Sequence, residues 1–214
     1  MSVALVVISD GRWDYLEQAL TSIEQRCSSY RFTSMTLIND SGARLPLPMD
    51  GRWDVITHET RRGLAGAVQS AWKRVAFADH VFHMEEDFVL HETPDLDAMV
   101  AVLRANDRLA QLVLKRQPWS PEEIRAGGII ESNPLDYVDQ TTDEHDWVEH
   151  ERIFSLNPCV YPTWVTKFGW PNGNEAEMTE MLVHLGYSFG FWGARSDPPR
   201  CEHIGVRRSA AWAL

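Results

Sequence analysis

The first half of the chain alternates between short apolar runs and longer segments whose apolar residues recur at helical spacing. Val3–Ile8 is a continuous valine-rich run, typical of a strand buried on both faces of a parallel sheet. Residues 14–26 place apolar side chains three and four positions apart, which predicts an amphipathic helix. Further segments of these two kinds are strands at Met35–Ile38, Trp53–His58 and His80–Met84 and helices from Gly63 and Thr93. This order predicts an α/β fold with a mainly parallel sheet flanked by helices.

The second half is less regular. Strand-like runs lie at Gln111–Leu114, Gly128–Ile130 and Tyr187–Trp192. A short segment, Ile153–Leu156, follows an acidic stretch, with a short helix near Pro162–Phe168 and a longer one over 175–185 after it. That acidic stretch, Asp139–Glu151, carries six acidic and no basic residues. That composition predicts a solvated, mobile loop, and such a loop is a candidate lid over a ligand.

Composition bounds the class of protein. The chain has 214 residues, of which 44% are hydrophobic and 24% charged, as expected of one globular domain spanning 1–214. Its 20 Lys and Arg residues against 31 Asp and Glu residues leave a net charge of −11. This balance argues against non-specific attraction to nucleic acid phosphates, although it leaves room for a local basic groove.

Cysteine usage and the apolar runs bear on the compartment. The three cysteines, Cys27, Cys159 and Cys201, are far apart and form no C-x-x-C motif, so free thiols in a reducing compartment are expected. Val3–Ile8 is too short for a membrane span and lacks the basic flank of a signal peptide. We therefore expect a cytoplasmic protein without membrane insertion, or one of the host cytoplasm if the chain is viral.

Polar residues follow three of the predicted strands. They are Ser9-Asp10, Asn39-Asp40 and the triplet Glu85-Glu86-Asp87. The carboxyl ends of parallel strands meet at one edge of a sheet, where α/β proteins bind their ligands. Three acidic turns on one edge therefore predict a binding site there.

The triplet itself points to a cation. Three adjacent carboxylates after a buried strand repel one another unless a positive charge offsets them. Mg²⁺ and Mn²⁺ take oxygen ligands and often share them with a diphosphate. A solvated acidic turn without a ligand explains the same pattern. Several motifs for other chemistries are absent: there is no G-x-G-x-x-G after Ile8, no P-loop and no H-E-x-x-H.

The stretch Arg61–Val89, with Val3–Gly42 before it, resembles GT-A glycosyltransferases of the family-two type, in particular small stand-alone bacterial or phage enzymes. The resemblance implies a nucleotide-sugar-binding half over 1–92 and an acceptor-binding half over 93–214. It makes Asp40 a base- or ribose-binding acid, and it makes Glu85 and Asp87 the two ends of the D-x-D motif that grips metal and sugar diphosphate. Ser9, Asp10 and Glu86 stand beside them as donor-binding residues.

The resemblance continues in the second half. Asn174-Glu175 precedes a helix that runs to Gly186-Tyr187, which implies that Glu175 is the general base. Glu175 also shares a helical face with Met178 and Leu182 and should point inward, whereas an acid that merely offsets the helix dipole is the alternative.

Three further residues are candidates near the diphosphate. His203, in a tail segment of the H-x-G kind, is implied as a third metal ligand, with an ordinary surface histidine as the alternative. Arg207 is placed to close over phosphates, where a guanidinium pairs well with oxygens. Arg62 precedes the Gly63 helix, whose N-terminus also favours phosphate, and a solvated loop is the alternative there.

The expected function is metal-dependent transfer of a sugar from a nucleotide diphosphate sugar to an acceptor hydroxyl, with Mn²⁺ or Mg²⁺ as cofactor. The resemblance implies inversion at the anomeric carbon, and it leaves a protein, a glycan or a hydroxymethylated DNA base as possible acceptors. Two other functions stay open: a sugar-nucleotide pyrophosphorylase, and a non-catalytic carbohydrate-binding module favoured by the nine tryptophans.

Overall fold

The computed structural model describes residues 2–117, 130, 133–171 and 174–205. In chain order its elements are β1 (Val3–Ser9), α1 (Trp13–Cys27), β2 (Ser34–Asn39), β3 (Trp53–Thr57), α2 (Gly63–Val75), β4 (His80–Glu85), β5 (Phe88–Leu90), α3 (Leu96–Ala105), β6 (Leu109–Leu114), β7 (Arg116–Gln117), β8 (Tyr137–Thr141), β9 (Asp146–His150), β10 (Cys159–Pro162), α4 (Glu175–His184), β11 (Ser188–Trp192) and β12 (Cys201–His203). Two 3-10 helices span Pro134–Asp136 and Thr163–Phe168.

A nine-stranded sheet organises the described residues, in the order β3-β2-β1-β4-β10-β6-β11-β9-β8. Strands β1 to β4 are all parallel, which confirms the expectation for the first half. Strand β10 then enters antiparallel between β4 and β6. Because β10 reverses direction on both sides, β6 and its parallel neighbour β11 run the same way as β1. The carboxyl ends of β1, β2, β4, β6 and β11 therefore share one edge of the sheet.

The sheet is buried on both faces by helices. Every residue of β1 is at most 2% exposed, as the continuous apolar run predicts. One face packs against α2 through Ala67, Val68 and Ala71, and the other packs against α1 and α3. At roughly 1.5–3 kcal/mol for each fully buried large aliphatic side chain, this burial is the main source of stability.

A second, three-stranded sheet has the order β5-β12-β7. Strand β5 follows the acidic turn after β4, β7 follows β6, and β12 pairs with both of them. Neither β5 nor β12 is predicted by the sequence pattern, because three residues carry too little periodicity. This sheet brings the 201–205 segment back to the carboxyl edge.

The acidic segment Asp139–Glu151 is not the predicted loop. It lies largely in β8 and β9, an antiparallel hairpin at the edge of the large sheet, where β9 pairs with both β8 and β11. The prediction fails because buried residues lie between the acidic ones. Trp147, Val148 and His150 are at most 4% exposed. Burial of these three side chains stabilises β9 as a strand, although its other positions are more exposed.

Two irregular parts of the chain lie among these elements. Residues 154–156 are buried and irregular, and their N–H groups donate to side chains of Thr179, Gln111 and Glu175. For the predicted strand Gly128–Ile130, residues 128 and 129 lie outside the described residues, and Ile130 is a buried turn residue.

The remaining predictions of helices agree with the structure. The helices predicted over 14–26, from Gly63 and over 175–185 are α1, α2 and α4, and the short helix near Pro162–Phe168 is the 3-10 helix Thr163–Phe168. Cys27, Cys159 and Cys201 are buried thiols that lie outside any disulfide. Among the described residues, the helices are all too short or too polar to cross a bilayer.

Candidate active site

The polar ends of three parallel strands meet at the carboxyl edge. In the register of the sheet, Ser9 of β1 pairs with Asn39 of β2, and Ile8 pairs with Glu85 of β4. The strand ends are also tied together by backbone hydrogen bonds, since the N–H of Asp40 donates to the carbonyl of Ser9 at 2.7 Å. The three acidic turns predicted to converge therefore do converge.

His203 reaches this edge through the small sheet. Strand β12 pairs antiparallel with β5 so that His203 lies opposite Phe88, and the two rings stack with centroids 4.8 Å apart. The imidazole Nε2 lies 3.2 Å from Oδ2 of Asp87. The backbone closes around the same residue, because the N–H of Ile204 donates to the carbonyl of Asp87 at 2.8 Å.

Asp87 is buried in this cradle. A Cβ added at Gly205 would come within 2.2 Å of Asp87 Oδ2, so a larger residue there would require the Asp87 carboxylate to move. Burial by itself would raise the pKa of Asp87, but the hydrogen bond with His203 and the charge of Arg12 outweigh it and lower the pKa. Asp87 is therefore ionised. Its Oδ1 is buried and has no hydrogen-bond partner among the described residues.

Glu85 and Glu175 lie within electrostatic reach of each other. Burial raises the pKa of Glu85 well above its ordinary value, and the negative charges of Asp87 and Glu175 raise it further. The charge of Glu175 therefore acts on Glu85, although the two residues are 90 positions apart in the chain. A positive charge bound between them would relieve the repulsion.

Glu175 is anchored at the first turn of α4. The side chain of Asn174 caps the helix by accepting from the N–H groups of Ala176 and Glu177. One carboxylate oxygen of Glu175 accepts from the N–H of Leu156 at 2.5 Å. Glu175 is half-buried while Glu177 is exposed, in agreement with the inward orientation that helical spacing predicts.

Glu86 turns under the loop that follows β1. It is 1% exposed, it accepts a very short hydrogen bond from the hydroxyl of Ser9, and it accepts from the N–H of Gly11 at 3.3 Å. Burial raises the pKa of Glu86 to about 8, and a side-chain hydrogen bond with Asp10 and the negative charge of Asp10 add to this effect. Ser9, Asp10 and Glu86 thus form one hydrogen-bonded group beneath the site.

Arg12 lies in the candidate site, and the sequence analysis does not single it out. Its Nε donates to Asp10 at 3.1 Å and to Glu86 at 2.6 Å, and its Nη2 lies 2.9 Å from Asp87 Oδ2. The guanidinium also lies 5.3 Å from the ring centroid of Tyr15. One guanidinium therefore contacts three acidic side chains, of which Asp87 is ionised and Glu86 has a raised pKa. A basic residue two positions after an acid at a strand end is the signal that could have identified it.

Asp40 connects β2 to the N-terminus of α2. Its Oδ1 accepts from the N–H of Arg62 at 2.8 Å, and its Oδ2 accepts from the N–H of Gly63 at 2.8 Å. Gly63 has a φ of +69°, which only glycine adopts without strain at this helix start. His58 Nδ1 lies 2.7 Å from Asp40 Oδ1, and its Nε2 lies 2.9 Å from Ser70 Oγ. Asp40 therefore accepts hydrogen bonds at the N-terminus of α2. A ligand bound to Asp40 would share its oxygens with these backbone N–H groups.

The two candidate arginines differ in position. The backbone of Arg62 is held by Asp40, and its exposed side chain lines a cavity of about 580 Å³ between β3 and α2, away from Asp87. Arg207 lies outside the described residues. Of the predicted site residues, the structure brings together Glu85, Asp87, His203 and Glu175, and it places Ser9, Asp10 and Glu86 directly beneath them.

The donor set fits a divalent cation that is shared with a substrate. Asp87 and His203 offer an ionised carboxylate and an imidazole, and the buried Asp87 Oδ1 is an unused ligand atom in the described part of the chain. No group of three or more His, Cys, Asp or Glu side chains is arranged around one point among the described residues. Mg²⁺ and ions like it are commonly held by one or two carboxylates plus substrate phosphates, which suits this arrangement.

The fold resembles known glycosyltransferases. Over 99% of this chain, GalNAc-T7, crystallised with UDP, GalNAc and Mn²⁺, aligns with a TM-score of 0.65 at 13% identity, and the match covers 44% of that chain. S. aureus TarS 1–349 aligns over 96% with a TM-score of 0.59 at 13% identity, covering 61% of that chain. The mannosyltransferase PcManGT from Pyrobaculum calidifontis, in complex with GDP-Man and Mn²⁺, aligns over 97% with a TM-score of 0.61 at 14% identity, covering 58%.

These likenesses establish the fold. The chain has a GT-A type fold, as the sequence resemblance implies, and it spans about half the length of the structures it matches. No protein-family model matches the chain, and no curated protein matches it in sequence.

Proposed function

We propose that this chain is a metal-dependent glycosyltransferase that moves a sugar from a nucleotide diphosphate sugar to an acceptor hydroxyl. The observation that carries the proposal is the meeting of Asp87, from the turn after β4, with His203, from β12, at the edge where Glu85 and Glu175 also lie. Two neighbours in fold, GalNAc-T7 and PcManGT, were solved with UDP or GDP-Man and Mn²⁺, which supports the same chemistry here.

Donor binding uses the acidic turn. In this proposal Asp87 and His203, with Glu85 beside them, would hold Mn²⁺ or Mg²⁺. Such an ion would supply positive charge to offset the negative charge that develops on the departing diphosphate. Ser9, Asp10 and Glu86 keep the loop after β1 in place, and Asp40 lies at the second strand end, where the nucleoside would bind.

Acceptor activation falls to Glu175. Its carboxylate removes the proton from the acceptor hydroxyl while that oxygen attacks the anomeric carbon on the face opposite the diphosphate. The new bond forms as the bond to the diphosphate oxygen breaks, so the anomeric configuration is inverted. The hydrogen bond from Leu156 to Glu175 supports this role, because it fixes the direction of the carboxylate.

Nucleotide binding provides the test. We expect one UDP- or GDP-sugar to raise the melting temperature in the presence of Mn²⁺, by roughly 5–10 °C at a hundred times its dissociation constant, given about 2.7 kcal/mol of linkage and about 2–4 °C per kcal/mol. Asp87→Ala should abolish this shift. His91→Ala is the matched control, because His91 also pairs with an acid at 3.2 Å on the small sheet but is exposed.

Three outcomes would contradict the proposal. If the increase in melting temperature persisted in Asp87→Ala, or in the presence of EDTA, the proposed metal site would be excluded. Binding of free glycan without any metal-dependent nucleotide affinity would indicate a carbohydrate-binding module. Formation of a nucleotide sugar from a nucleoside triphosphate and a sugar 1-phosphate would indicate a pyrophosphorylase.

A further inference from the structure

A second cavity lies on the same edge of the large sheet as the candidate active site. It measures about 530 Å³ and is bordered by the hairpin formed by β8 and β9 and by the segment that follows β11. The polar and charged residues that line it are Asp139, Gln140, Thr141, Asp146, Arg195 and Ser196. The end of β8, the start of β9 and the end of β11 all lie at the carboxyl edge, because β9 is antiparallel to both of its neighbours.

The wall after β11 is held in one conformation by Lys115. This residue follows β6, and its Nζ donates to the carbonyls of Ala194, Arg195 and Asp197 at 3.3, 2.8 and 2.5 Å. The carboxylate of Asp197 in turn accepts from the N–H of Ala194 at 3.1 Å. A lysine that satisfies three carbonyls of one loop fixes that loop, so this wall is pre-formed and costs little ordering on binding.

The two walls are also joined to each other. Arg195 donates through Nε to Asp139 at 3.0 Å and through Nη2 to the carbonyl of Tyr137 at 2.7 Å. The N–H of Gly193 donates to the carbonyl of Asp146 at 2.9 Å. The cavity is therefore framed by hydrogen bonds that cross it at both ends, and its width is set by the fold.

The chemistry of the lining suits a neutral, hydroxyl-rich ligand. Asp139 and Arg195 neutralise each other, so Asp146 is the one uncompensated charge among the six residues named above. Gln140, Thr141 and Ser196 add an amide and two hydroxyls, which both donate and accept as sugar hydroxyls do. Trp147, which is almost fully buried, lies at the base of the cavity.

Charge argues against a nucleic acid here. The exposed tip of the hairpin adds Asp143 and Glu144 beside Asp146, so a phosphate backbone would meet negative charge as it approached. A lysine-rich peptide would be attracted by this tip, but the cavity itself holds only one free carboxylate for it, beside the guanidinium of Arg195.

The distance from the acidic turn indicates which part of the acceptor would bind. Strand β9 lies four strands from β4 in the sheet, or about 19 Å at a spacing of about 4.8 Å. A single sugar at the transfer point could not span this distance, whereas an oligosaccharide could.

We propose that this cavity is an acceptor subsite that binds a neutral oligosaccharide several sugars away from the hydroxyl that receives the transferred sugar. The proposal rests on the proposed glycosyltransferase function and narrows its acceptor to a glycan. Lys115 is a positioning residue in this subsite, since it acts through the loop that it holds.

The test uses the full chain and an array of neutral oligosaccharides from two to eight sugars, followed by isothermal titration of the best binder. We expect affinity to rise with chain length, and the double variant Gln140→Ala/Asp146→Ala to weaken it about tenfold or more, since each lost hydrogen bond costs roughly fivefold. Ser196→Phe, at an exposed position, should weaken it by filling the cavity. Asp143→Ala, at the hairpin tip, is the control and should change nothing.

Nucleotide binding is measured on the same samples, which separates this proposal from the proposed function. Unchanged Mn²⁺-dependent nucleotide binding together with weaker oligosaccharide binding in the variants would support the subsite. Binding of no array member, equal binding by the variants, or preferential binding of a DNA oligonucleotide or a polylysine peptide would overturn the subsite. If nucleotide binding itself is absent from the wild type, the glycosyltransferase function fails, whatever the array shows.

Discussion

The guanidinium of Arg12 and the carboxylate of Asp87 form a largely buried ion pair, with 2.9 Å between Nη2 and Oδ2. The same guanidinium contacts Asp10 and Glu86, so the acidic turn after β4 and the loop after β1 share one counter-charge. Coulomb attraction in this partly desolvated setting is much stronger than at a surface. Arg12 therefore links the stability of the fold to the electrostatics of the candidate site.

Replacement of Arg12 tests this link. Arg12→Met keeps much of the apolar stem but removes the cation that pairs with the buried Asp87 carboxylate. Removal of one partner of a buried ion pair typically costs about 3–5 kcal/mol. We expect a loss of this order in the free energy of unfolding, measured by urea denaturation at neutral pH, with partial recovery on addition of Mn²⁺.

Arg52→Met is the matched control for that measurement. Arg52 also pairs with two acids, Asp50 and Glu24, but its side chain is 50% exposed, and solvent screens such pairs strongly. Its stability should stay close to that of the wild type. An equal loss in both variants would show that the buried position of Arg12 has no special role.

Glu86 should make stability depend on pH. Its pKa in the folded state is about 8, above the ordinary value of 4.5, because burial and the neighbouring Asp10 favour the protonated form. Its stabilising contribution is complete below about pH 4.5 and is lost as the pH rises through about 8, since the folded state then binds more protons than the unfolded state.

Glu86→Gln isolates this contribution. The amide resembles the protonated carboxyl and does not titrate, so the melting temperature of the variant should fall less than that of the wild type between pH 5 and 8.5. Glu177→Gln, at an exposed position in α4, should follow the wild-type profile. Parallel profiles for the wild type and Glu86→Gln would contradict the assignment of a raised pKa to Glu86.

Glu175→Gln separates catalysis from binding. The amide oxygen can still accept from the N–H of Leu156, and the Asn174 cap is untouched, so the fold and the metal-dependent nucleotide affinity should persist. Loss of the general base should lower kcat by about 10²–10⁴ with the donor KM nearly unchanged.

Glu177→Gln, in the same first turn but exposed, is the control and should retain full activity. A Glu175→Gln enzyme with wild-type kcat would exclude Glu175 as the base. A variant that has lost nucleotide binding as well would instead indicate that Glu175 contributes to the donor site.

Much of the architecture follows from local pattern. The continuous apolar run of β1 and the helical spacing in α1 and α2 predict a parallel α/β half. A strand buried on both faces is apolar throughout, whereas a helix buried on one face is apolar at every third or fourth position. The same reasoning places Ser9, Asp40 and Glu85 at one edge, since the strand ends of such a sheet must meet.

The acidic hairpin shows where local pattern fails. Residues 139–151 look solvated because charged residues outnumber apolar ones, yet Trp147 and Val148 are buried against neighbouring strands. Which strand lies beside β9 depends on residues more than 35 positions away in β11, and no local periodicity encodes that pairing.

The sequence by itself determined strands β1 to β4, helices α1 to α3 and the chemical types at the strand ends, because these depend on neighbours a few positions away. Only the tertiary structure decided that His203 meets Asp87 across 116 residues and that Arg12 contacts three acids. It also decided that Asp40 caps α2. These contacts depend on β12 pairing with β5 and on how the loop after β1 closes, and both are set by packing between distant segments.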